Sequence, residues 1–125
     1  MDAEGLKELF APFGPVAVKR MFGGHGVYAD GLCFAIQSGG EVYLKTDDDT
    51  KAEFVTAGSQ PFIYDAKGRA IEMSFWRLAA GAYDDEDELR RWAGFGLAAA
   101  RRAAAGKAKT KAGAPKRRSA TKARR

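Results

Sequence analysis

From Val16 to Lys45 apolar residues recur at every second position, and the alternation is twice cut by a residue pair suited to a two-residue turn: Asp30-Gly31 and Gly39-Gly40. Two-residue loops that follow the right-handed twist of their strands need positive φ at both positions, and Asp-Gly and Gly-Gly supply it at little steric cost. Between the turns Leu32, Phe34 and Ile36 share one strand face, with Cys33, Ala35 and Gln37 on the other. After the second turn Val42 and Leu44 oppose Tyr43 and Lys45, and ahead of the first "VAVKRMF" sets Val16, Val18, Arg20 and Phe22 against Ala17, Lys19 and Met21. Such a run predicts an antiparallel meander. Further on, "QPFIYDAKGRAIEMSFWRL" predicts a hairpin turning at 65–68, whose second strand places Ile71, Met73 and Phe75 opposite Glu72, Ser74 and Trp76.

Three segments switch to helical spacing. Leu6, Leu9 and Phe10 fall at i, i+3, i+4 behind Asp2 and Glu4, and Pro12, Gly14 and Pro15 end that helix. "TDDDTKAEFVTAG" offers Thr46 or a neighbouring Asp as a cap, acids in the first turn and Gly58 as a stop. A last helix is expected from near Asp84, acidic at its start and closed by Arg101 and Arg102, with Leu89, Trp92, Ala93, Gly96, Leu97 and Ala100 as its buried stripe. The expected fold class is α+β: an antiparallel sheet of five to six strands, a meander plus a C-terminal hairpin, flanked by N-terminal, middle and C-terminal helices.

A chain of 125 residues supports one core. Charge divides it in two. Of 21 Lys and Arg, 11 fall between Arg101 and Arg125, where no Asp or Glu occurs; the other 10 face all 16 acids, a net of −6. We therefore expect a globule over residues 1–105 and, over 106–125, a disordered Lys/Arg/Ala-rich arm without large apolar side chains to bury. Acid-free positive charge on such an arm is an electrostatic footprint for nucleic acid. The backbone-contacting candidates are Lys107, Lys109, Lys111, Lys116, Arg117, Arg118, Lys122, Arg124 and Arg125. No run of about 18 apolar residues occurs, so no membrane contact is expected, and the acidic N-terminus and single cysteine lead us to expect a cytoplasmic, nucleoid-compatible location.

"MFGGHGVY" invites a phosphate or metal reading. A dinucleotide fingerprint needs GxGxxG between a strand and a helix, whereas G-G-H-G here leads into another strand; the phosphate-loop pattern GxxxxGK[ST] is absent. His25 has no second histidine, and "TDDDT" lacks calcium-loop spacing. His25 is expected in the turn. Cys33 lies between Leu32 and Phe34 without charge to activate it, so a structural thiol is expected. No catalytic, cofactor-binding or metal residue is assigned, no cofactor is expected, and the chain is read as not an enzyme. Strand aromatics Tyr28, Tyr43, Tyr64 and Trp76 are candidates for a dimer or partner surface.

The stretch "VKRMFGGHGVYADGLCFAIQSGGEVYLKTDDDTKAEF" resembles the N-terminal domain of the TfoX/Sxy competence regulators, chiefly through Arg20, Met21, Phe22, Gly23, Gly24, Gly26 and Tyr28. "FWRLAAGAYDDEDELRRWAGFGLAAARR" resembles that family's closing strand and helix, so the similarity spans Leu6 to Arg102. The resemblance implies a sheet covered by helices in the style of secretion-chaperone folds, compatible with dimers. It also implies a role in transcription regulation. Full-length members promote competence genes together with the cyclic-AMP receptor protein, and they continue into a C-terminal helical domain where this sequence has its basic arm. The expected function is a regulatory module acting through a protein partner such as a transcription factor, with the arm tethering it to DNA. The alternatives are a nucleoid-type, sequence-independent DNA binder, and a small enzyme or nucleotide-binding domain built on FGGHG.

Overall fold

The computed structural model describes residues 2–21 and 23–113, the side chains of 66 and 107–113 excepted. Helix α1 spans Ala3–Phe10 and starts where the Asp2 carboxylate accepts the Gly5 amide at 2.8 Å. The meander follows as β1 (Ala17–Met21), β2 (Gly24–Ala29), β3 (Leu32–Ser38) and β4 (Glu41–Lys45). Then come α2 (Lys51–Thr56), β5 (Pro61–Ala66), β6 (Arg69–Arg77), a 3-10 turn over Ala80–Tyr83, and α3 (Glu86–Gly113). The protein is α+β, with one six-stranded antiparallel sheet in the order β1-β2-β3-β4-β6-β5. Both expected meander turns carry positive φ at two residues, Asp30 with Gly31 and Gly39 with Gly40; Lys67 with Gly68 does the same between β5 and β6.

Three helices bury one face of this sheet. Leu6 and Phe10 of α1, Phe54 of α2, and Leu89, Trp92, Ala93, Leu97 and Ala100 of α3 form a single core with Val27, Phe34, Ala35, Val42, Leu44 and Trp76. Phe10 and Phe13 stack against Phe34 at 5.3 and 5.5 Å, and Trp92 meets Phe54 at 4.8 Å. Gly96 permits this closeness. A Cβ there would lie 3.0 Å from the Phe34 carbonyl oxygen and 3.3 Å from Leu44 Cβ, so its cost in helix propensity is repaid by seating α3 on β3 and β4. Gly94, with nothing within 4 Å of a built Cβ, has no such role.

Three expectations change, while on β6 the expected alternation holds. A bulge pairs Val27 with Ala35 but Tyr28 with Cys33, so Phe34 and Ala35 both reach the core and Ile36 is turned from Phe34's face. On β6 the apolar set is the outward one: Ile71 and Met73 are 44% and 36% exposed, while Trp76, on the polar-looking side, is 8% exposed. The reason is register, because Trp76 pairs with Leu44, whose neighbours on that face are helices. The last helix does not close at Arg102. It starts at Glu86 after the 3-10 turn and continues through Gly113, so the first part of the expected arm is helical; 114–125 lie outside the described residues. His25 is a strand residue of β2, not a turn residue.

The β5–β6 hairpin overhangs the sheet. β4 pairs with β6 only at Phe75, Trp76 and Arg77, leaving Arg69 to Glu72 with β5 as their single strand neighbour.

Candidate functional site

The family-like residues build a hairpin, not a loop. Arg20 pairs with His25 and Met21 with Gly24, so the two strands form a hairpin, and Gly24 to Ala29 is strand. Phe22 lies outside the described residues. Gly23 needs glycine for its φ of +76°, but Gly24 and Gly26 need it for space. A Cβ at Gly24 would sit 1.9 Å from the Gln37 carbonyl oxygen; at Gly26 it would meet Met21 Sδ at 2.6 Å and the Tyr28 ring at 3.1 Å. The Tyr28 ring also carries the Lys19 ammonium 5.0 Å above it. A strand, not a helix N-terminus, follows the glycines, so this segment offers no phosphate cradle of the dinucleotide kind.

His25 and Gln37 face each other across β2 and β3, with Nδ1 and Oε1 2.8 Å apart. Sequence reading gave Gln37 no role, yet it is 7% exposed, and this bond satisfies a buried amide oxygen. Cys33 is half-buried and its thiol touches the Ala35 carbonyl at 3.4 Å. Burial pushes the thiol pKa up despite that bond, keeping it protonated at neutral pH and weakly nucleophilic. Among the described residues no group of three or more His, Cys, Asp or Glu is placed to hold a metal ion. No helix is long and apolar enough to cross a membrane, among the described residues.

The root of the basic segment is where the charges organise. Arg102 grips Asp47 with two nitrogens, Nε to Oδ2 at 2.6 Å and Nη2 to Oδ1 at 3.0 Å, and Nε lies 3.2 Å from Asp49. Arg101 pairs with Asp30 in the β2–β3 turn. Asp47 is preorganised for this, since its Oδ1 also accepts the amides of Asp49 and Thr50 at 3.1 and 3.2 Å ahead of α2. The Arg102 hydrogen bond, outweighing desolvation, holds the Asp47 carboxyl below its usual range. In the sequence these aspartates look like helix starts or turn formers; their partners, more than fifty residues away, leave no local signal.

Arg101 and Arg102 are engaged with carboxylates of the globule. Lys107, Lys109 and Lys111 lie on the helical backbone of α3, while Lys116, Arg117, Arg118, Lys122, Arg124 and Arg125 lie outside the described residues.

Comparison with known families and proteins gives two findings. A family model described as the TfoX N-terminal domain matches residues 8–100, which takes in the glycine hairpin, the whole sheet and the buried stripe of α3. No curated protein matches the chain.

Proposed function

Because the chain belongs to the TfoX N-terminal domain family, which is of regulatory type, we propose that it is a non-enzymatic module of transcription regulation. Its globule contacts a protein partner, and its C-terminal bases hold nucleic-acid backbone. The carrying observation is the segregation of charge. Residues 101–125 hold 11 bases and no acid, and the two nearest the globule are already paired to Asp30 and Asp47. The remaining nine candidates have no acid of their own segment to neutralise them. Contacts made by such bases read phosphate and not sequence.

Fluorescence anisotropy on a labelled duplex across a salt series tests this. If about five of the nine bases meet phosphates, log K falls with log[salt] at a slope near −4 to −5, equally for unrelated sequences. Replacing the nine by Gln in the full chain is expected to abolish binding while leaving the melting temperature in place. Absence of binding by the unaltered chain at low salt overturns the reading.

A further inference from the structure

Three helices cover one face of the sheet, and the other face is hollow. A cleft of about 370 Å³ opens there, walled by Met21, Ile36, Phe62, Tyr64, Met73 and Phe75. That volume falls in the range of about 300–1,000 Å³ typical of small-molecule sites. The walls come in part from β1 and β5, the two outermost strands of the order, so the face is a trough and not a plane. Part of the hollow is made by glycine. Lys19, Gly26, Ile36, Tyr43 and Arg77 form one cross-strand row, to which β2 contributes no side chain. The Met21 side chain lies over the bare position instead, where a Cβ on Gly26 would stand 2.6 Å from its Sδ.

Charge decides what fits. No Lys, Arg, Asp or Glu lines the cleft among the described residues, so its interior suits an uncharged, apolar group. Its surroundings are cationic. Strand register puts Lys19, Lys45, Arg69 and Arg77 on this face against one acid, Glu41, among the described residues. None of the four cations is ion-paired among the described residues, although residues 1–100 carry a net charge of −6. Lys45 pairs with Phe75 and Arg77 with Tyr43, which makes the two cations diagonal neighbours roughly 7–8 Å apart. Lys45 Nζ lies 5.3 Å from the centre of the Phe75 ring, a wall of the cleft, and donates to Ser74 Oγ at 2.8 Å. Like charges so placed repel until an anion lies between them.

We propose that the trough binds a small amphiphilic anion, an alkyl chain ended by one carboxylate, with the chain in the cleft toward Met21 and the head between Lys45 and Arg77. The carboxylate accepts from both cations in charge-assisted hydrogen bonds. The thioethers of Met21 and Met73, with the rings of Phe62 and Phe75, give the chain an adaptable apolar wall. A second copy of the protein would instead set these cations against their own images. The site uses none of the C-terminal bases, so it stands apart from the nucleic-acid reading.

Isothermal titration of the full chain with decanoate tests the proposal. Saturable binding of one decanoate per chain is expected, weakening about fourfold for each methylene removed as burial of the alkyl chain requires. Decylamine, with the head charge reversed, is expected not to bind. Lys45→Gln combined with Arg77→Gln is expected to weaken decanoate by at least about threefold with the melting temperature in place. Cys33 lines the same cleft and is the only cysteine, so decanoate is also expected to slow its alkylation by iodoacetamide in the unaltered chain. Absence of saturable decanoate binding overturns the proposal. Equal binding of decylamine overturns it too, as does decanoate uptake that leaves Cys33 alkylation unchanged. Sedimentation with anionic phospholipid vesicles where free decanoate does not bind assigns the face to a membrane surface and overturns it equally.

Discussion

The two faces of the sheet carry similar side chains and treat them differently. On the helix side Phe34, Leu44 and Val42 are fully buried and Trp76 nearly so; on the other, Ile71 and Met73 keep more than a third of their surface in water. Apolar content therefore does not by itself decide what is core. What decides is which face α1, α2 and α3 reach, and that is set by the β3 bulge and by the Trp76–Leu44 register.

The sharpest way to break this contrast is to truncate one side chain on each face. Trp92→Ala, removing a ring packed on Phe54 and Phe95, is expected to lower unfolding free energy by about 3–5 kcal/mol in urea denaturation. Met73→Ala, measured in dilute solution, is expected to change it by less than about 0.5 kcal/mol; equal losses erase the distinction between the faces. Next in size is Gly24→Ala. It puts a methyl 1.9 Å from a backbone oxygen of the neighbouring strand, and a loss of about 1–3 kcal/mol by the same assay is expected from the overpacking.

A smaller pair reads the helix side alone. Gly94→Ala is expected to stabilise by roughly 0.5–1 kcal/mol, because nothing opposes the gain in helix propensity. Gly96→Ala is expected to destabilise, because the methyl meets Phe34 and Leu44; thermal melts of the two variants should move in opposite directions. The smallest effect belongs to Arg102→Gln. The Asp47 carboxyl is depressed in the folded chain, so its contribution is present above the unfolded value near 3.9 and lost as pH falls through the depressed value. Without Arg102, stability should fall less steeply across that acid window, and an unchanged slope means the pair is not formed.

Strand alternation and two turn pairs made the meander legible, because those signals are local and physically strict. The α3 stripe was legible for the same reason. Three things were not. The bulge beside Phe34 arises from pairing between strands and leaves no mark in the alternation of β3 alone. The glycines at 24 and 26 read as a tight strand connection and Gly96 as part of the α3 stripe, but the close contacts that a Cβ at each would make follow from strand pairing and from the seating of α3 on the sheet. The ion pairs of Arg101 and Arg102 join residues that only the finished fold brings together. His25 illustrates the intermediate case: its lack of metal-binding company was visible, but its strand position and Gln37 partner required the register.

The unbroken course of α3 has a mechanical consequence. Its 28 residues make a rod about 42 Å long, clamped in the core over its first half and braced at Arg101 and Arg102 by Asp30, Asp47 and Asp49. A load applied at the far end of the helix acts as torque on that clamp, as on a boom without a swivel.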